Sequence, residues 1–193
     1  MSFSIVTQLL LKEYEEYLEH QRDRKPNEIW VSELVQCKAK AQLRQQYPFF
    51  YQAKPACTLG NLVHYGIYSY LLQELGLETE KEFKEYIEGW VIKGRIDGID
   101  DKCVYEIKYA RELKDNQPFE HHVLQVKLYL WLTGKPEGKL IYITPNRLVE
   151  FSINESLSDD EVEQLIEQWT SPRYDWECNY CEFVSICPYA KKK

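Results

Sequence analysis

The sequence predicts a mixed α/β fold: a central mixed sheet flanked by helices, with helical and cysteine-bearing ends. Two observations carry this. Hydrophobic spacing passes from helical to alternating and back, in the order helices, strands, helix, strands, helix. The chain has 193 residues, 44% hydrophobic and 28% charged, enough for one domain with a true core.

The elements follow in order. Ser4 to about Arg22 has helical spacing, with Ile5, Leu9, Leu10, Tyr14, Tyr17 and Leu18 on one side, and Pro26-Asn27 breaks it. Ser32 is placed to cap a second helix from near Glu33 to about Tyr47. Pro48 and Pro55 bracket an aromatic loop, and Thr58 to Leu75 predicts a third helix closed by Gly76. Thr79 to Ile87, Trp90 to Ile99 and Cys103 to Tyr109 predict three strands, joined by turns at Glu88-Gly89 and Asp100-Asp101. Helical spacing returns from Phe119 to Thr133, ending at Gly134. Leu140 to Thr144 and Leu148 to Ile153 predict a hairpin around Pro145-Asn146. Ser158, with Glu161 at capping-box spacing, opens a last helix through Trp169. The tail from Ser171 is short, aromatic and cysteine-bearing.

Composition narrows the function. Acidic residues outnumber basic ones 31 to 24, for a net charge of −7, which argues against a highly basic nucleic-acid coat protein. It leaves room for a nucleic-acid enzyme, because a metal site concentrates carboxylates and a groove can be locally basic. No stretch reaches the roughly 18–20 apolar residues of a membrane helix. The apolar run from Met1 to Leu11 lacks the basic start and cleavage site of an export signal, so a cytoplasmic location is expected. Disulfides are rare there, and six cysteines make metal the first candidate.

The densest chemistry lies on the predicted strands. Gly94-Arg95-Ile96-Asp97 ends one, and Glu106-Ile107-Lys108 sits on the next. Side chains at i and i+2 of a strand share a face, so Glu106 and Lys108 do, and Asp97 can converge on them across the turn. Two carboxylates suit a hard divalent cation, and a lysine can orient water and neutralise charge on a phosphate. Taken alone, the pattern also suits surface ion pairs. On the third helix Gly60 and His64 are one turn apart, a small residue for close approach beside a metal-binding side chain. On the Phe119–Thr133 helix Gln125 and Tyr129 have the same spacing.

The ordered set Gly60-x-x-x-His64, Gly94-x-x-Asp97, Glu106-x-Lys108, Gln125-x-x-x-Tyr129 resembles the RecB-like branch of the PD-(D/E)XK nucleases. That resemblance implies a restriction-endonuclease-like core. It implies Mg²⁺ or Mn²⁺ held by His64, Asp97, Glu106 and the backbone carbonyl of Ile107. It further implies catalysis by Lys108 with Asp97 and Glu106, and DNA positioning by Gln125 and Tyr129.

The tail adds Cys178-x-x-Cys181 and Cys187-Pro188, and proline after the last cysteine recurs in iron–sulfur ligand runs. Three thiolates lack a fourth, for which Cys37 is the candidate. Structural zinc suits four thiolates too. Cys57 and Cys103 read as ordinary small residues. With the nuclease motifs, the cysteine pattern resembles the CRISPR-associated Cas-four exonuclease family over nearly the whole chain, with Lys38 where many relatives carry proline after the first cysteine. The resemblance implies an iron–sulfur cluster on Cys37, Cys178, Cys181 and Cys187, a four-iron form being favoured over a two-iron form. It implies one nuclease domain over residues 1–193, its core at about 58–153 and an iron–sulfur subdomain from about 30–57 and 171–193. The implied reaction is metal-dependent hydrolysis of single-stranded or overhanging DNA, 5′ to 3′, in spacer acquisition with the CRISPR integrase complex. The alternatives are a non-catalytic DNA-end-binding subunit, an iron–sulfur redox protein, and a RecB-like repair or viral nuclease. For the DNA itself, Lys38, Lys40 and Arg44 offer a basic stripe and Tyr47, Phe49, Phe50 and Tyr51 offer stacking rings, weighed equally against a solvated face and a hydrophobic plug. Lys191–Lys193 reads as a solubilising end.

Overall fold

The computed structural model describes residues 4–22 and 24–191, without the side chains of Leu72, Gln73 and Lys114. The first three residues of the apolar start, and Lys192 and Lys193 of the basic end, lie outside the described residues.

Helix α1 spans Ile5–Gln21, and the Ser4 hydroxyl accepts the Thr7 amide at its N-terminus, 3.2 Å. Its apolar side differs from expectation: Ile5, Val6, Leu10 and Leu11 are exposed, and the residue it buries is Glu13. Glu13 accepts hydrogen bonds from Tyr51, Thr58 and Asn61, which makes its burial tolerable.

Strand β1, Glu28–Trp30, is only three residues long and falls below any periodicity signal. The single helix expected from Glu33 to Tyr47 is two pieces: α2, Val31–Leu34, and α3, Lys38–Gln46. Ser32 therefore lies inside α2, and Cys37 stands at the N-terminus of α3. The break has a physical cause. The Cys37 amide donates to the Glu177 carboxylate at 2.8 Å instead of continuing a helix.

Helix α4, Pro55–Tyr70, runs into a π-helical turn at Leu71–Leu75 that stops at Gly76 in the left-handed region. It starts three residues earlier than expected, with proline in its first turn. Strands β2, Glu78–Ile87, and β3, Trp90–Ile99, form a hairpin, and β4 spans Cys103–Tyr109. Helix α5, Glu120–Thr133, is followed by β5, Glu137–Ile143, β6, Leu148–Ile153, and α6, Asp159–Glu167. The Ser158–Glu161 capping box forms with both arms. A short 3₁₀ turn at Glu177–Tyr180 carries the first tail cysteine.

The sheet is mixed, in the order β1-β3-β4-β5-β6, with β2 also paired to β3. β1 runs parallel to β3, and β4 parallel to β5. β2 occupies one edge of β3 from Trp90 to Ile99. The other edge is shared: β1 takes Val91–Lys93 and β4 takes only Gly98 and Ile99. A gap in the ladder is left at Gly94–Asp97, and the candidate site is built there. α5 packs over the main core with Ile92, Val104, Val126 and Leu140, while Ile107, Leu71 and Leu77 form a smaller core. Among the described residues, no helix is long and apolar enough to cross a membrane.

Candidate active site and cysteine pocket

Unpaired ladder groups in a sheet must find other partners. In this gap the candidate site residues supply them. Asp97 accepts the Ile107 amide of β4 at 2.7 Å, and Tyr129 donates to the Arg95 carbonyl of β3 at 3.1 Å. Gly94 permits the fit. A Cβ there would lie 2.7 Å from Leu132 Cδ1 and 3.0 Å from Tyr129 Cε1. The other motif glycine behaves differently: a Cβ on Gly60 would meet nothing within 4 Å, so the close approach expected at that position is absent.

Glu106 is the most deeply set of the group, 2% exposed. Its Oε1 is held by the Lys108 ammonium and by Gln125, which donates at 2.8 Å. Its Oε2 is buried with no hydrogen-bond partner among the described residues. Burial and the Asp97 charge push the Glu106 carboxyl up, against the pull of Lys108. Burial acts to lower the Lys108 ammonium, but Glu106 and Asp97 outweigh it and raise it.

The α4 side adds His64 and a residue that motif reading passed over, Tyr68. Tyr68 donates to Asp97 Oδ1 at 2.9 Å and lies 3.2 Å from His64 Nδ1, and His64 Nδ1 is 3.8 Å from the same Asp97 oxygen. Burial and the Asp97 charge keep the Tyr68 hydroxyl protonated, so it stays a donor. The signal was available: Tyr68 follows His64 at i+4, on the same helix face.

Gln125 and Tyr129 stand behind the carboxylates. Gln125 also donates to the Tyr129 hydroxyl at 2.9 Å, and both side chains are buried. The Gln125 amide nitrogen and the Tyr129 hydroxyl are engaged by protein groups, and what they position directly is Glu106 and the β3 backbone. His64, Asp97, Glu106, Lys108, Gln125 and Tyr129 line one cleft of about 440 Å³, with Lys93 and Arg95. Arg95 and Lys93 continue into an adjoining cleft of about 670 Å³ beside α1.

Apart from the cleft, Cys37, Cys178, Cys181 and Cys187 line a single small pocket with Lys40 and Glu177. Cys57 is exposed in the first turn of α4 and Cys103 is buried in β4, both apart from it. Among the described residues, no three His, Cys, Asp or Glu side chains are drawn together as the shell of one ion, in the cleft or the pocket. Burial raises the Cys37 and Cys181 thiols.

Two carboxylates tie the chain ends around this pocket. Glu177 accepts the amides of Cys37, Arg173 and Tyr174 at 2.8, 2.8 and 2.9 Å. Glu182 takes Arg44 at 2.7 Å and Lys54 at 2.8 Å. Burial works against its charge, yet Lys40, Arg44 and Lys54 hold its carboxyl down at about 2. Arg44 is thus neutralised within the protein, not displayed as part of a basic stripe. The aromatic loop is only in part a plug: Phe50 and Tyr47 pack on Phe183 and Tyr51 on Tyr14 and Tyr17, yet Tyr47, Phe49 and Phe50 all stay exposed.

Fold and site together define a PD-(D/E)XK nuclease. The family model described as the PD-(D/E)XK nuclease superfamily matches residues 67–188, a span that includes Asp97, Glu106, Lys108 and the three tail cysteines. The chain is 37% identical to a protein of Saccharolobus solfataricus described as CRISPR-associated exonuclease Cas4, over 95% of this chain and 98% of that one. It is also similar to the crystal structure of SSO0001, at a TM-score of 0.87 and 35% identity, covering all of both chains. The chain belongs to the Cas4 exonuclease family of that superfamily. The fold is shared more distantly with an alkaline exonuclease from Laribacter hongkongensis, at a TM-score of 0.57 and 15% identity, covering 79% of this chain and 87% of that one.

Proposed function

We propose that this chain is a divalent-metal-dependent DNA exonuclease that degrades single-stranded or overhanging ends from the 5′ side. We further propose that it carries an iron–sulfur cluster and trims DNA ends with the integrase complex in CRISPR spacer acquisition. The observation that carries the nuclease reading is the Glu106 carboxylate: buried, facing Asp97, tethered at one oxygen and unpartnered at the other. A bare acceptor in that setting is costly unless a cation completes it.

The residues present fit a divalent ion. His64, Asp97, Glu106 and the Ile107 carbonyl would hold Mg²⁺ or Mn²⁺, oxygen-rich chemistry that suits hard cations. Such an ion supplies charge neutralisation at the phosphate and an activated water. The protein's own groups do the rest. Lys108 lies against Glu106 where charge develops, placed to orient the attacking water and steady the phosphate oxygens. Tyr68 fixes the Asp97 carboxylate and the His64 ring. Gln125 keeps Glu106 from turning away. Arg95 and Lys93, at the cleft wall, offer charge to the strand's backbone.

The four thiols fit a cluster because they share one secluded pocket. Cys37, Cys178, Cys181 and Cys187 would hold it, and its chemistry there is a cross-link between chain ends. Residues 30–57 and 171–193 would then act as one iron–sulfur subdomain beside a nuclease core of about 58–153. The test is cleavage of 5′- and 3′-end-labelled single-stranded DNA by anaerobically purified protein with Mn²⁺, beside Lys108→Ala. Label loss from the 5′ end by the wild type alone supports the reading. Equal inactivity of both proteins, each with full iron content, would sink it.

A further inference from the structure

A metal–lysine site acts on a phosphate, yet a single strand also needs its bases held, and stacking on aromatic faces does this without sequence preference. Of the loop rings, Tyr51 packs on Tyr14, while Tyr47 and Phe50 lean on Phe183 and keep exposed faces, as does Phe49, and none of the four lines the carboxylate cleft. Another group of rings is linked to Lys108 through β5 and α5.

The connection can be followed residue by residue. Lys108 on β4 and Tyr142 on β5 are register partners. The Tyr142 hydroxyl accepts the Phe119 amide at 3.0 Å and meets His122 Nδ1 at 2.8 Å. His122 and His121 have ring centroids 4.1 Å apart. His121 then meets Trp176 at 5.1 Å and Tyr174 at 5.7 Å, and those two rings lie nearly parallel, 12° apart in plane and 5.8 Å between centroids. Burial, with the Lys108 charge next, lowers His121 to about 4, which fits a neutral ring close to that lysine.

Trp176 is 40% exposed, so its indole is open to a partner. The platform is also rigidly mounted. Glu177, next in sequence and buried, holds the Arg173 and Tyr174 amides along with that of Cys37. Asp175, the acid between the two rings, is paired with Lys191.

We propose that Tyr174, Trp176 and His121 form a stacking platform for one unpaired base, next to the scissile phosphate on the Lys108 side. The inference rests on the DNA-cleavage reading above and adds to it the residues that grip the base. It also gives the cysteine pocket a part in substrate handling, because the turn that carries Cys178 carries Trp176 and is anchored to Cys37 through Glu177.

The test is a scan of single abasic positions along an end-labelled strand, read as KM and kcat separately. For the wild type we expect one position near the cleaved bond where removing the base raises KM by about five- to a hundredfold, the range one base–aromatic stack supplies. Trp176→Ala should show that loss on the intact strand and no further loss on the abasic one. Trp176→Phe should recover most of it, with iron content and melting temperature unchanged in both variants. A wild-type scan flat along the strand overturns the platform without relying on any variant. So does a folded Trp176→Ala with wild-type KM. No cleavage of any strand by the wild type overturns the nuclease reading itself, and the platform with it.

Discussion

The carboxylate cleft and the cysteine pocket are built by opposite means. In the cleft, Asp97, Glu106 and Lys108 come from adjacent strands joined by a three-residue turn, and the sheet brings them together. In the pocket, Cys37 is joined to the tail through Glu177, 140 residues away in sequence. The gap in the ladder is filled by the cleft's own side chains, whereas the pocket's surroundings are tied by two largely buried acids. A site made from neighbouring strands can lose a side chain and keep its frame. A site that closes a long loop around a cluster, as proposed for the cysteines, would have its frame at stake in each ligand.

The largest expected effect sharpens that contrast. Glu106→Gln or Lys108→Ala should lower kcat by two orders of magnitude or more, about what losing one preorganised charge-stabilising group costs. The folded chain and its iron content should be unchanged. Cys187→Ala should do the reverse: iron is lost, and the protein is destabilised by roughly 2–5 kcal/mol, the range for losing a cross-link that closes a long loop. Denaturant melts beside iron assays would show it, and a Cys187→Ala protein of full stability and full iron would break the comparison. Glu182→Gln tests the same end without touching a cysteine. It takes from Arg44 and Lys54 their ion-pair carboxylate and from Lys40 its main opposing charge, and should cost about 3 kcal/mol.

The same contrast explains what was legible in the sequence. Strand and helix periods alone put Glu106 beside Lys108, and Gln125 beside Tyr129, because i, i+2 and i, i+4 neighbours need no tertiary information. The hairpin of β2 and β3, the Ser158 cap and the helix stops at Gly76 and Gly134 were legible for the same reason. The break between α2 and α3 was not, since it is imposed by Glu177 from the far end of the chain. Nor was the three-residue β1, whose presence on the edge of β3 leaves the gap that the site fills. Nothing in the local sequence marks Glu177 or Glu182 for burial, yet Glu177 is buried and the Glu182 side chain is nearly so. Besides the local amides of Arg173 and Tyr174, their partners Cys37, Arg44 and Lys54 lie more than 120 residues away, beyond any local pattern.

A matched pair of glycine variants probes the cleft more finely. Gly94→Ala forces a methyl against Leu132 and Tyr129, and overpacking of this kind costs about 1–3 kcal/mol. Because Tyr129 also bonds Gln125 and the Arg95 carbonyl, activity should fall along with stability. Gly60→Ala meets open space inside a helix and should be neutral or stabilising by up to about 1 kcal/mol. Equal destabilisation by both would show that the Gly94 contact does not shape the site.

The smallest effect concerns the turn that sets Asp97 against Glu106. Asp100 accepts the amides of Lys102 and Cys103 at 2.8 and 2.7 Å and the Tyr105 hydroxyl at 2.9 Å. Burial is the largest single influence and raises its carboxyl, but those donors and the Lys135 charge together prevail and lower it. A lowered folded pKa makes the stabilisation complete above the unfolded value of about 3.9, and lost as pH falls through the folded one. Asp100→Asn keeps the shape of an acceptor and removes the charge, so it should cost less than about 1 kcal/mol at neutral pH. The gap to wild type should close as pH drops below about 4, since the wild-type carboxyl is then protonated too. Melting temperatures of the two proteins from pH 7 to pH 3 would show it. A difference that stays constant with pH would mean that the turn is held by its shape alone, with the charge of Asp100 contributing nothing to the register of β3 on β4, and one that widens in acid would mean that its folded carboxyl is raised.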